Sequence, residues 1–339
     1  ATISAVSIPN STMKVGDAVT VSISASEAGL SLVSGVVNGV SVTGFTDNGG
    51  GSYSATYTVV EGNTDRAAGA SIPVSFVLAD SAGNNSTAFT TAISQAADTI
   101  DANTPTVSSI ATIGSPAGNA SSVVFRVTLS ESVVNIDTSD FTLTATGTAS
   151  ASIASVSAAS GSTVDVTVNS IAGAGTLRLD VVGGHNLADT VGNVISGGFT
   201  SGTAHTVDAA APVISSIAIA DTAMKVGSVV TVTITVPSDT DDYTTGSGGI
   251  SGTIGGFALG SLSRTNATTY TATFTVTDGG TDVAAGSSIP VNFTLSDSSG
   301  NTSSAFTTAI SQAADAIDAN TPTISITDNT AGTATDNII

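Results

Sequence analysis

Cysteine is absent from the 339 residues. That excludes a disulfide framework, a thiolate nucleophile and a zinc–thiolate site. Tryptophan is absent as well, and aromatic residues make up 4% of the chain, which leaves little to build a sugar-stacking platform. Basic side chains are scarce: six Lys and Arg stand against 26 Asp and Glu, a formal net charge of -20. Such a chain repels phosphate backbones, so nucleic acid is excluded as a partner, and an anionic membrane surface is excluded on the same ground. Glutamate is nearly missing too, since 23 of the acids are Asp. Asp favours turns over helix interiors, so the negative charge belongs at loop tips. No segment keeps a helical apolar period beyond a turn or two, and no apolar run is long enough to span a bilayer, so no membrane insertion is expected. No leader-like segment precedes Ala1, which runs straight into a strand-like pattern; this reads as a slice of a longer chain.

What is present is period-two alternation. Val19, Val21 and Ile23 alternate with Thr20, Ser22 and Ser24. The same pattern runs through Tyr53, Ala55, Tyr57 and Val59, through Val74, Phe76 and Leu78, and through Phe89, Thr91 and Ile93. Farther on it covers Val123 to Leu129, Val164 to Val168 and Leu177 to Val181. About seven short strands per domain, separated by Gly/Asn/Asp turns, predict an all-β chain of tandem immunoglobulin-like β-sandwiches in an extended rod.

The chain repeats itself. Met13-Lys14-Val15-Gly16 returns as Met224-Lys225-Val226-Gly227, and Ile72-Pro73-Val74 returns as Ile289-Pro290-Val291. The extra residues of the second copy fall around Pro237 to Gly249. Residues 1–102 and 211–319 therefore read as copies of one domain, with a diverged domain at 103–210. Residues 320–339 read as the start of a truncated fourth repeat or a mobile tail. The stretch Asp98-Thr-Ile-Asp101-Ala-Asn103-Thr-Pro105 closes the first copy and returns as Asp315-Ala-Ile-Asp318-Ala-Asn320-Thr-Pro322. A shorter version ends at Asp208 and Pro212. Proline holds the preceding residue extended, so each stretch reads as a linker rich in oxygen ligands.

Sandwich connectivity would bring distant acids to these linkers. At the first junction it gathers Asp98, Asp101 and Asn103, with Glu61 and Asp65 from the preceding domain. The following domain adds Glu131, placed in the loop after its second strand, and Asp189 with Asn193 before its last strand. At the second junction it gathers Asp208, the insertion acids Asp239, Asp241 and Asp242, and Asp297 with Asn301. Glu27, Asp80, Asp315 and Asp318 complete the candidate set. Carboxylates a few ångströms apart repel by about 4 kcal/mol per pair near a protein surface, and few basic side chains are present to offset this. Calcium, which takes six to eight oxygens, is the expected cofactor. The motif Asp-Xaa-Xaa-Gly-Asn, found at Asp80, Asp189 and Asp297, also makes a tight turn with no metal at all.

Other chemistry is thin. His185 follows two glycines and reads as structural. Asp137 and Asp140 could pair as glycosidase carboxylates, but no aromatic platform accompanies them. Lys14 and Lys225 sit in no isopeptide motif and read as exposed loop lysines.

The Asp-Xaa-Xaa-Gly-Asn turns, the Asp-Ala-Asn-Thr-Pro linkers, Leu129-Ser-Glu131-Ser and the terminal Ile324-Ser-Ile-Thr-Asp-Asn-Thr-Ala-Gly-Thr together resemble bacterial immunoglobulin-like repeats. These are similar to the repeats of giant secreted RTX-type and biofilm adhesins. The resemblance implies a non-enzymatic, monomeric extender on the bacterial cell surface. Its neighbours would be further repeats of its own chain, its junctions stiffened by calcium, its role to project a binding tip. It implicates Asp98, Asp101, Asn103, Asp189 and Asp208 most strongly. The middle domain departs from its neighbours, because Asn169 to Thr176 carries no acid. Two other classes stay open: a ligand-binding module centred on 103–210 or the 237–249 loop, and a spacer within a secreted enzyme.

Overall fold

A computed structural model describes residues 1–237, 243–246 and 248–326. Among them the chain is all-β, with no α-helix and one short 3-10 turn at Thr138–Asp140. It forms two compact units, one of residues 1–116 with 120–207, the other of 117–119 with 208 onward.

The first unit holds two hydrophobic cores. The first is built by β1 (Ile3–Ser7), β2 (Met13–Lys14), β3 (Ala18–Ala25), β4 (Ser31–Val37), β5 (Val40–Ser41), β6 (Thr43–Gly49), β7 (Ser52–Thr58), β8 (Val74–Ala79) and β9 (Ile100–Asp101). One sheet has the order β1-β3-β7-β6 and the other β5-β4-β8. Alternation decides which side chains enter: Val19, Val21 and Ile23 of β3 face Tyr53, Ala55 and Tyr57 of β7 across the buried face. Each fully buried side chain of this size contributes about 1.5–3 kcal/mol. The strand expected at 89–93 appears as two bridges to β8 and its approach, Phe76 with Phe89 and Ile72 with Ile93.

The second core lies between β10 (Val107–Thr112), β11 (Ser122–Val134), β12 (Phe141–Ala145), β13 (Ser150–Val156), β14 (Ser160–Ala172), β15 (Ala174–Val181) and β16 (His205–Asp208). Its sheets are β10-β11-β14-β13 and β12-β15-β16. Phe125, Val166 and Leu179 fill its centre.

The second unit repeats the first sandwich. Its strands are β17 (Ser216–Ala218), β18 (Met224–Lys225), β19 (Val229–Thr235), β20 (Ile250–Ile254), β21 (Phe257–Ala258), β22 (Ser263–Asn266), β23 (Thr269–Thr275), β24 (Val291–Leu295) and β25 (Ile317–Asp318). The sheet orders, β17-β19-β23-β22 and β21-β20-β24, match those of the first sandwich. In both copies a two-residue parallel pair closes the domain: Met13 with Ile100 and Lys14 with Asp101, then Met224 with Ile317 and Lys225 with Asp318. That pair ties the start of each linker to its own domain.

No helix among the described residues is long and apolar enough to cross a membrane.

Candidate metal centre

Three carboxylates converge in the first unit. Asp101, Glu131 and Asp189 each place an oxygen so that all three lie within 4.8 Å of one another, and theirs is the one such group among the described residues. They come from three separate places. Asp101 ends β9, Asp189 opens the turn between β15 and β16, and Glu131 sits on β11. Glu131 was expected in a loop. The structure places it within the strand, where the register of β11 against β14 shifts between Thr128 and Val133. A bulge of this kind re-aims side chains.

The second ring consists of Glu61, Asp65 and Asn103. Asp65 Oδ1 accepts from the Ala102 amide at 2.9 Å and from Asn103 Nδ2 at 2.8 Å. Glu61 Oε1 accepts from the Thr104 amide at 3.0 Å. These bonds hold the linker against the loop that follows β7. The Asp189 turn is held from within: Oδ1 accepts from the amides of Val191 at 2.9 Å, Gly192 at 2.7 Å and Asn193 at 2.9 Å. Its Oδ2 accepts from Asn193 Nδ2 at 2.8 Å. Gly192 lies at φ 95°, a left-handed position that glycine reaches without strain.

That turn is docked on the first sandwich. Asn193 Oδ1 accepts from the Val15 amide at 3.0 Å, and its Nδ2 lies 3.4 Å from the carbonyl oxygens of both Asp101 and Asn103. Lys14 Nζ donates to the Gly192 carbonyl at 2.8 Å. Lys14, expected to be exposed, is therefore part-buried by the next domain.

Electrostatics mark the cluster. Burial pushes the Asp101 carboxyl above its ordinary value; the Asn103 amide opposes this, while the charges of Asp189, Asp65 and Glu61 add to it. Glu131 is raised by burial first, then by Asp101, Asp189, Asp65 and Glu61. The same three acids, Asp189, Asp65 and Glu61, therefore act on both groups. Among the described residues none of the three converging carboxylates has an ion-pair partner, and the Glu131 carboxylate accepts no hydrogen bond. Half-buried oxygens under mutual repulsion, with no His or Cys beside them, fit a hard divalent cation such as calcium.

The remaining candidates are placed elsewhere. Asp98 does not face the junction: it is fully buried inside the first sandwich, where it accepts from the Gln95 amide at 3.0 Å and the Gly69 amide at 3.4 Å. Asp315 repeats this with Gln312 at 2.9 Å and Gly286 at 3.4 Å. Glu27 lies 3.0 Å from the Ala1 ammonium. Asp80 clamps its own exposed turn, where the Asn84 side chain and then its amide hold the carboxyl below its usual range. Asp297 clamps the matching turn, and Asn301 Nδ2 from that turn donates to the Asp208 carbonyl at 3.0 Å. The Asp208 carboxylate accepts from the Ala210 amide at 3.2 Å. Asp318 accepts from the Asn320 amide at 3.3 Å. Asp239, Asp241 and Asp242 lie outside the described residues.

Two acids weighed as a catalytic pair have a structural use. Asp137 and Asp140 form a reciprocal capping box on the 3-10 turn. His185 bridges its turn to the Gly197 carbonyl at 2.7 Å.

No family model matches the chain, and no curated protein sequence matches it. Among solved structures it is similar to the D00-D0 domain of intimin, at 14% identity and a TM-score of 0.28, over 61% of this chain and 99% of that one. It is also similar to domains 4-9 of surface layer protein SbsC, at 15% identity and a TM-score of 0.27, covering 92% of this chain and 48% of that one. The extracellular region of plexin A4 follows at 10% identity and a TM-score of 0.24, covering 92% of this chain and 33% of that one.

Proposed function

We propose that this chain is a non-enzymatic extender segment of a secreted bacterial surface adhesin, and that calcium stiffens the junction between its first two sandwiches. The observation that carries this reading is the convergence of Asp101, Glu131 and Asp189 oxygens within 4.8 Å. The three groups belong to two successive sandwiches. An ion bound there adds a tie between the domains, and without it their repulsion loosens a junction that the hydrogen bonds of the Asp189 turn still hold.

In this reading Asp101, Glu131 and Asp189 supply the carboxylate oxygens. Asp65 and Glu61 keep the linker in place through its amides and add negative potential. Asn193 orients the turn. Calcium would supply positive charge and a demand for six to eight oxygens; carbonyls and water complete such a shell. Extracellular modules bind calcium at roughly 10⁻⁴–10⁻³ M, and an affinity in that range is expected here.

The test is a calcium titration of the whole chain by calorimetry, together with small-angle scattering in calcium and in chelator. Heat of binding that disappears in Glu131→Gln, with a scattering profile that changes on chelation, supports the reading. Absence of binding at millimolar calcium sinks it.

A further inference from the structure

The first sandwich shows what its C-terminal end does: it receives an Asp-Xaa-Xaa-Gly-Asn turn. Four contacts make the seat, from Lys14 Nζ, the Val15 amide and the carbonyls of Asp101 and Asn103. The third repeat carries the same residues in the same places. Lys225 pairs with Asp318 across β18 and β25 as Lys14 pairs with Asp101 across β2 and β9. The linker is fastened in the same way, with Asp278 standing where the first repeat has Glu61. Asp282 Oδ1 accepts from the Ala319 amide at 2.7 Å and from Asn320 Nδ2 at 2.8 Å, and Asp278 Oδ1 accepts from the Thr321 amide at 2.7 Å. In the first repeat the seat is filled. In the third, a cleft of about 260 Å³ lies there, lined by Lys225, Val226, Asp318, Asn320, Thr321 and Pro322.

Two independent features say what fits. Lys14 is part-buried beneath Gly192, whereas Lys225 is exposed. Just past the cleft, Ile324 and Ile326 are 90% and 93% exposed. Ile324 stands two residues after Pro322, as Val107 stands two after Pro105, and Val107 opens β10 and pairs with Leu129 of the following sheet. The cleft and the bare apolar residues beside it thus match the two ends of one interface seen complete in the first unit.

We propose that the Lys225–Pro322 cleft is a docking seat for the Asp-Xaa-Xaa-Gly-Asn turn of an immunoglobulin-like sandwich joined through the Asn320-Thr-Pro322 linker. The Gly carbonyl takes the Lys225 ammonium. The Asn side chain accepts from the Val226 amide and donates to the carbonyls of Asp318 and Asn320. Ile324 enters the sheet of the arriving domain. This shares the tandem-repeat reading above but needs no ion, because every contact is a hydrogen bond to Lys or backbone.

The chain has only two lysines, Lys14 and Lys225, so amine acylation read by mass spectrometry reports both seats at once. In the 339-residue chain, Lys225 should react about fivefold faster than Lys14, the scale of one hydrogen bond. Asn193→Ala should bring Lys14 to the rate of Lys225. A second copy of residues 103–210 fused after Ala319 should slow Lys225 to the rate of Lys14, and Asn→Ala in the added turn should reverse that. Equal rates for the two lysines in the unaltered chain overturn the proposal, as does an added domain that folds by circular dichroism yet leaves Lys225 fast. Protection of Lys225 should survive chelation even if calcium proves not to bind beside Asp101; protection lost with calcium overturns hydrogen-bonded docking.

Discussion

Asp98 and Asp101 stand three positions apart and have opposite tasks. Asp98 is shut inside the first sandwich and satisfies two amides. Asp98→Ala leaves those donors bare, so it should destabilise that domain by about 1–3 kcal/mol and leave the calcium titration unchanged; a denaturant melt and calorimetry check both halves. Glu131→Gln should do the reverse, weakening calcium by about tenfold or more, the scale on which even outer partners of metal sites act, without lowering the melting point in chelator. The raised pKa values add a pH signature. A carboxyl whose folded pKa lies above its ordinary value disfavours folding as pH climbs past that ordinary value, because the unfolded chain releases its proton first. The ordinary values are 3.8 for Asp101 and 4.5 for Glu131. In chelator, the contribution of these two groups to stability should therefore fall as pH rises above that range. Calcium or Glu131→Gln should flatten this slope in a melt series. The acid-rich linker, with its proline, was legible as a place where carboxylates gather, and Asp101 does meet two others there. Which acid turns inward was not, because the amides that claim Asp98 belong to Gly69 and to a turn whose path only the fold defines.

Elements decide which copies of a motif dock. Three Asp-Xaa-Xaa-Gly-Asn turns have one internal hydrogen-bond pattern, and their glycines lie at φ 85°, 95° and 93°. Asp189 and Asp297 are 3% and 4% exposed, because their turns meet linker carbonyls; the Asp80 turn stays in solvent. The turn could be read from sequence, and so could each sandwich, because period-two alternation fixes which face is buried. The bulge in β11 could not: Leu129-Ser-Glu-Ser carries no glycine to announce it. Asn193→Ala removes the side chain that joins Val15 to the turn, so the two sandwiches of the first unit should lose cooperativity. A single calorimetric transition splitting in two is the expected result; an unchanged thermogram would deny the clamp. On β16, His205 is 6% exposed, and burial lowers its pKa from 6.5. A group depressed in this way leaves stability intact above 6.5 and removes it as pH falls below, since the unfolded chain takes the proton first. His205→Gln should therefore lessen the loss of stability between neutral pH and about pH 5, measured by denaturant melts in calcium and in chelator alike.

For the whole chain, a net charge of -20 is a standing repulsion, and two of its four arginines are committed to Asp165 and Asp180. A monovalent salt screens such charge but cannot bridge it: at about 1 M the screening length is still roughly 3 Å, comparable to the spacing of neighbouring carboxylates, and a sodium ion adds no second charge. If calcium binds the folded form alone, as proposed, mass action adds about 2.7 kcal/mol at 100 times its dissociation constant. That gain should appear in the first unit, where three carboxylates converge, and be smaller in the second, where no three do among the described residues. The thermal melt of the intact chain then separates the cases. Calcium should raise the transition of the first unit by several degrees and narrow its gap to, or widen its lead over, the second. Sodium at equal ionic strength should not, and Glu131→Gln should cancel the shift while the second transition stays where it was. Equal shifts of both transitions would trace the effect to general screening of the -20 charge and remove the case for an ion at Asp101.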